Sequence, residues 1–474
     1  MEVDIFKTFK MIVEYAPTIS YCIVILATLV GGVFVIRNWI MEKINARKIN
    51  ARKLEELKQA SPDKAKGIIF GKLKGKVIYS PVESEGSVGV FSASGTGKTS
   101  AVGIPTMRSW TGTSFTIDIS GDICKNCPDM PHKLIYEPEN PDTVAFNIFG
   151  GIDDLKAPDD KNEALAQLAL LLMPKQAKND NAKFFEENGR NILTASLIAF
   201  YWAKMDFVEI CEKIVGSGWK DLFRSIDETE NEKAMQYINS FEETSEQNTA
   251  GCKQACDDAL KLFATNAKVK KSIHRPTREE ITIQPKMIED HNIFVVVDDP
   301  KLDLYSPLLN IITSQQMQYI SNRELSNGSK NILLFLDEYA SLRLTADTII
   351  EALRKYRKRK CRVMMMTQNL SDLDILYGKE TTRAIMANLR FKVLLGGLGE
   401  TESQKYFAEL IGYKKTTRHS ESSNVNTTTY TQSEAKEYEI EPAELDRQGK
   451  DTVILIHPEG YMLLKKNYYF KSKK

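Results

Sequence analysis

The sequence predicts an α/β protein: a largely parallel sheet covered by helices on both faces, split in sequence by an all-helical block and preceded by one membrane-crossing helix. Three observations predict it. Near-continuous apolar runs, NIFVVVDD (292–299), NILLFLDEYA (331–340), CRVMMMTQN (361–369) and RFKVLLGG (390–397), alternate with helical segments, as strands buried on both faces do. Between 153 and 280 the strand pattern almost vanishes, and apolar residues recur at spacings of three and four. From Ala16 to Ile36 there is no charged residue. At about 1.5 Å per residue that run just crosses a hydrocarbon core of roughly 30 Å.

The elements follow in order. Residues 1–15 carry nearly balanced charges, Glu2, Asp4, Lys7, Lys10 and Glu14, which argues against a cleaved signal peptide and for a retained anchor at 16–36. Behind the span, Arg37, Lys43, Arg47, Lys48, Arg52, Lys53 and Lys58 outnumber Glu42, Glu55 and Glu56. That bias predicts a single-pass protein of the cytoplasmic membrane, with the N-terminus outside and the rest in the cytoplasm. Residues 37–66 read as a helical stalk. Short strands and turns start at Gly67, so 67–152 and 281–474 form the nucleotide-binding α/β domain and 153–280 the all-α domain. Within the latter, 163–173, 187–203, 232–241 and 249–264 read as helices. The Thr, Ser and Asn enrichment of 416–436 predicts a mobile excursion. DTVILIHP and GYMLLKKNYYF predict a closing hairpin.

Net charge is only +1, so no global basic field points to nucleic acid, and any such contact must be local. Seven cysteines in a cytoplasmic body are expected as thiols. Cys124-Lys-Asn-Cys127 with His132 makes half a zinc site, without a second pair of matching spacing.

The chemistry starts at SASGTGKTS, 92–100, after the apolar run SVGVF. A phosphate-binding loop needs backbone N–H groups aimed at oxygens, a lysine to neutralise them and a hydroxyl for magnesium. Ser94, Gly95, Thr96, Gly97, Lys98, Thr99 and Ser100 supply that set, and only Ser92 departs, where a glycine belongs. Asp337-Glu338 ends an apolar strand. Asp337, with Thr99, would hold Mg2+, and Glu338 would polarise the attacking water. The next strand ends at Gln368, either a sensor of the γ-phosphate or a buried amide satisfied by backbone. Arg354 to Arg362 places seven cations in nine residues. The run could supply an arginine finger to a neighbouring subunit, a track for a nucleic-acid backbone, or a solvated face.

In its order of membrane helix, phosphate loop, TIDISGD, FNIF, helical block, LDEYA and TQN, the chain resembles the type IV coupling proteins of conjugation, the TraG/TraD-like family. The resemblance runs from about Gly67 to Phe470. It implies a RecA-like, membrane-anchored hexameric ATPase using ATP and Mg2+. It further implies delivery of relaxase-bound single-stranded DNA, or protein substrates, to a type IV secretion channel. The family's motifs fall on Lys98, Thr99, Asp337, Glu338 and Gln368, and its finger arginine on Arg357. Two departures stand out. The Asp-x-Lys-Gly-Glu motif of many members reads Asp118-Ile-Ser-Gly-Asp122 here, without the lysine, and one membrane helix is read where many relatives have two. Rival readings are a double-stranded DNA pump of the FtsK/HerA kind, and a docking receptor that ATP switches without translocation. Against the pump, neither a multi-helix anchor nor a winged-helix module is read.

Overall fold

The β-branched and apolar runs become strands because both of their faces find cover. A computed structural model of the chain describes residues 56–175, 179–277, 280–424 and 427–472. The expected outer segment 1–15, the span 16–36 and residues 37–55 of the stalk lie outside the described residues. The rest of the expected helical stalk, 56–66, is not helical but holds a short strand, Lys58–Ala60, and a turn. Among the described residues no helix is long and apolar enough to cross a membrane.

After the short strand Lys58–Ala60, the strands in chain order are β1 (Gly67–Leu73), β2 (Lys76–Pro81), β3 (Ser87–Phe91), β4 (Thr113–Ile119), β5 (Lys133–Tyr136), β6 (Asn292–Val297), β7 (Ile332–Leu336), β8 (Cys361–Thr367) and β9 (Leu389–Leu394). After them come β10 (Tyr413–Asn424), β11 (Thr427–Tyr438), β12 (Thr452–His457) and β13 (Gly460–Lys465). From β2 the sheet runs β2-β1-β13-β12-β9-β3-β8-β7-β4-β6-β5. The stretch from β9 to β5 is parallel throughout, and every residue of β3, β4, β6, β7 and β8 is buried. The remaining pairs, β9 to β2, are antiparallel. β3 thus lies inside the sheet between β9 and β8, so the loop that leaves it opens at the centre of the sheet's carboxyl edge, where open α/β folds bind ligands.

From Gly150–Asp153 to Ala267–Ser272 the regular elements are helical, the longest being Pro158–Leu172, Asp180–Trp202 and Glu246–Thr265. Their starts are fixed by side chains that satisfy open backbone N–H groups: Asn179, Asn231, Ser245 and Asn266 cap their helices, and Asp206 with Glu209 forms a capping box. The block does not keep a core to itself. Phe149, Leu165, Ile198 and Phe263 belong to one apolar cluster with Ile293, Leu309 and Leu334, and residues from Gln59 onward form one compact unit. Glu139 pins the block as well. Its burial works against ionisation, but hydrogen bonds from Lys268, Lys301 and Tyr305 pull its carboxyl down to about 2.

Two further expectations change. The stretch 416–436, expected as a mobile excursion, is a regular two-stranded ribbon set apart from the main sheet: β10 and β11 pair with each other antiparallel in unbroken register from Tyr413↔Tyr438 to Asn424↔Thr427. Threonine's β-branch favours the extended chain even where no apolar alternation announces a strand. The basic run 354–362 is not a free track either. Arg362 is buried, donating from Nε to the Gly86 carbonyl (3.0 Å) and from Nη1 to the Pro81 carbonyl (3.0 Å). Arg359 donates to the Arg323 carbonyl, Lys360 to that of Ser329, and Lys355 pairs with Glu351. The closing hairpin is present as β12–β13.

Candidate nucleotide-binding site

At the end of β3 the chain must turn sharply into the helix Thr99–Gly103, which continues as Ile104–Ser109. Gly95 (φ 74°) and Gly97 (φ 100°) make the turn in backbone conformations that a side chain would strain. Ser92, the departure from the loop pattern, is fully buried. Its hydroxyl bonds that of Thr96, which donates in turn to the Ala93 carbonyl at 2.7 Å. The serine therefore laces the loop from inside, which a glycine could not do. The Lys98 ammonium is folded under the loop, 3.0 Å from the Ser92 carbonyl and 3.5 Å from Glu338 Oε2.

The acids arrive from two adjacent strands. β4 and β7 pair with Ile117 opposite Leu336, so Asp118, near the end of β4, stands beside Asp337, the first residue past β7. Asp337 is buried, and burial followed by repulsion from Asp118 and Glu338 raises its carboxyl to about 7. Asp118, fully buried, is raised to about 6, first by burial. It accepts N–H bonds from Cys124 (2.6 Å) and Ile123 (3.3 Å), which start the short helix Asp122–Lys125. Glu338 is held in the left-handed region (φ 45°), and its amide donates to Asp337 Oδ1 at 3.2 Å. A non-glycine residue in that conformation costs of order 1 kcal/mol or more, and here it keeps the Glu338 carboxylate at Lys98.

The structure thus gathers Lys98, Asp337 and Glu338 and adds Asp118, which the sequence reading left as a motif missing its lysine. Its signal was present: an apolar run ending in an acid, like that before Asp337. Gln368 emerges beside Ser92, because β3 and β8 pair up to Phe91↔Thr367 and the Ser92 amide donates to the Thr367 carbonyl at 3.3 Å. Gln368 is half-buried. Thr99 and Ser100 are half-buried at the helix start, and Ser94 and Gly95 are exposed. Hard divalent cations take oxygen ligands. The Thr99 hydroxyl and a buried Asp337 carboxyl crowded by like charge fit that demand. Cys124 and Cys127 are buried free thiols, burial pushing Cys127 up to about 11. Among the described residues no group of three or more His, Cys, Asp or Glu is arranged to hold a metal.

Arg357 is not part of this cluster. It is exposed and paired with Glu85 just ahead of β3, at the sheet end opposite the loop. One strand of five residues spans roughly 17 Å, so Arg357 does not reach the loop of its own chain. A second residue not singled out in the sequence, Lys466, donates to the Thr96 carbonyl at 2.7 Å.

The family described as Type IV secretory system Conjugative DNA transfer matches residues 50–474. The chain belongs to that family. Comparison with the curated proteins finds no match. Among solved structures, this family member is similar to the bacterial conjugative coupling protein TrwBdeltaN70 in its unbound form. The identity is 19%, the TM-score 0.63, and 80% of this chain and 84% of that one are covered. Against the plasmid coupling protein TrwB in complex with ADP and Mg2+ the values are 19%, 0.62, 81% and 85%. VirB4 of Thermoanaerobacter pseudethanolicus gives 15%, 0.51, 86% and 98%. At these identities the likeness establishes the α/β fold with its large parallel sheet.

Proposed function

We propose that this member of the conjugative DNA transfer family is an ATP-hydrolysing motor, anchored in the cytoplasmic membrane by 16–36 with its N-terminus outside. It works as a homo-oligomer, a hexamer by family resemblance, that brings relaxase-bound single-stranded DNA to a type IV secretion channel. The observation that carries the ATPase reading is the placement of Lys98 between the loop carbonyl of Ser92 and the Glu338 carboxylate, beside buried Asp337. The TrwB complexes with an ATP analogue and with ADP and Mg2+ support ATP and Mg2+ as the ligands.

In the geometry seen, Lys98 neutralises Glu338. A triphosphate in the loop offers the ammonium several charged oxygens at once, in place of one neutral carbonyl at 3.0 Å and one long contact of 3.5 Å to a single carboxylate. As Lys98 turns to the β- and γ-oxygens, Glu338 loses its counter-ion and is free to accept a proton from water. That water attacks the γ-phosphorus as the bond to the ADP oxygen breaks. Asp337 and the Thr99 hydroxyl would hold the magnesium, which neutralises charge developing on the phosphates. Gln368, next to Ser92, stands where an amide can sense the γ-phosphate. Arg357, remote from its own loop, is assigned to the nucleotide of a neighbouring subunit.

The test is ATP turnover by the full-length chain in lipid vesicles, with single-stranded DNA, with duplex, and without DNA. Single strands are expected to stimulate wild type, and Lys98→Ala to insert into the membrane but lose DNA-stimulated turnover. Undiminished turnover in Lys98→Ala would end the ATPase reading. Preference for duplex would turn it toward a double-stranded DNA pump.

A further inference from the structure

Beyond β13 the chain runs back over the phosphate loop. Lys466 is buried against it, its ammonium on the Thr96 carbonyl. Tyr468 follows: a Cβ added at Gly97 would stand 3.3 Å from Tyr468 Cε1 and 3.3 Å from Ser100 Oγ. The turn Tyr469–Ser472 packs on the helix opening Thr99–Gly103. Phe470 stacks on Tyr468 (centroids 5.2 Å, planes 27° apart), sets its edge to Tyr469, and remains 56% exposed. Arg108 lies over the Tyr469 ring at 5.0 Å. Asn467, 5% exposed, has an Oδ1 without a partner among the described residues.

The loop has a direction. Lys98 and Glu338 mark the end where the terminal phosphate sits, and the loop amides hold the inner phosphates. The nucleoside must therefore leave on the other side, past Gly97 and Ser100, where the aromatic residues stand. A purine is a flat, weakly hydrated ring with a polar edge. An exposed phenyl face within an aromatic stack suits the ring.

We propose that Lys466–Phe470 forms the nucleoside side of the site, with Lys466 fixing the loop through Thr96 and the Tyr468–Phe470 stack receiving the purine ring. The proposal rests on the reading that the loop binds a nucleoside triphosphate. Stacking is tolerant of base identity, so adenine and guanine nucleotides are expected to bind with similar affinity.

The experiment titrates the full-length chain in detergent with ADP and, separately, with inorganic pyrophosphate, which keeps the phosphates and lacks the base. In the double variant Tyr468→Ala/Phe470→Ala, ADP affinity should fall about 5- to 150-fold, while pyrophosphate affinity stays at the wild-type value. Tyr468→Phe should bind ADP as wild type does, and Lys466→Met should weaken both ligands. Unchanged ADP affinity in the double variant overturns the proposal. So does an equal loss for both ligands, which would make the aromatics a mere support for the loop. Failure of the underlying reading looks different: wild type would bind neither ligand, or Lys98→Ala would bind both undiminished.

Discussion

Asp337→Asn offers the most quantitative test of the acidic cluster. The buried Asp337 carboxyl ionises at about 7 in the folded chain, against about 4 in an unfolded one. Below pH 4 both states are protonated and the shift has no effect on stability. Between about 4 and 7 the folded chain keeps a proton that the unfolded chain has lost, so stability falls as pH rises. Above 7 the whole penalty is present. Three pH units at about 1.36 kcal/mol each make it roughly 4 kcal/mol, of which less than half has accrued at pH 5. Asparagine has nearly the same shape and does not titrate. A unit of this size gains roughly 1 °C per kcal/mol, so the melting temperature of Asp337→Asn minus that of wild type should grow by about 2–3 °C from pH 5 to pH 8. The slope is diagnostic rather than the offset, because the amide has its own burial cost. Melting both proteins by circular dichroism without nucleotide or magnesium gives the answer. Parallel curves, or a difference that shrinks toward pH 8, would refute the claim that this carboxylate is held in the fold against its own charge.

Other expectations follow from the same geometry. Glu338→Gln should keep ADP affinity while turnover falls by about 10²–10⁴-fold, the usual worth of a positioned base, in a steady-state phosphate-release assay. Arg357→Ala should bind nucleotide as wild type does yet lose turnover. Mixed with Glu338→Gln subunits it should recover part of it, because each type supplies what the other lacks at shared sites; no recovery would count against a role across subunits. Arg362→Met leaves the Gly86 and Pro81 carbonyls without their buried donor. Chemical denaturation should show a loss of about 2–4 kcal/mol, with ADP affinity unchanged once the chain is folded.

What could be read from the sequence depended on where the signal lay. The strands β6, β7 and β8 announced themselves because burial on both faces demands unbroken apolar runs, and the loop because its turn demands Gly95 and Gly97. Glu338 was legible for the same reason, standing where an apolar run stops. Asp118 was not recognised as a neighbour of Asp337, since that depends on β4 lying next to β7, across an insertion of more than a hundred residues. Lys466 was hidden likewise: a lysine after a hairpin looks like solvent-facing charge until the hairpin's place beside β1 and β9 carries it onto the loop. The β10–β11 ribbon lacked apolar alternation, and only its pairing reveals it. Arg357 is legible by resemblance alone, because its proposed partner belongs to another copy.

The place of β3 in the sheet has a consequence for biosynthesis. Its two neighbours, β8 and β9, are encoded some 270 residues or more further on. At about 5–20 residues per second, the ribosome needs roughly 15–55 s after releasing β3 to deliver the first of them. Throughout that interval the nascent phosphate loop hangs from a strand with both edges open. Such edges are templates for pairing with other chains, so this protein's yield should depend on how fast the helical block is translated and on whatever shields the first third of the chain meanwhile.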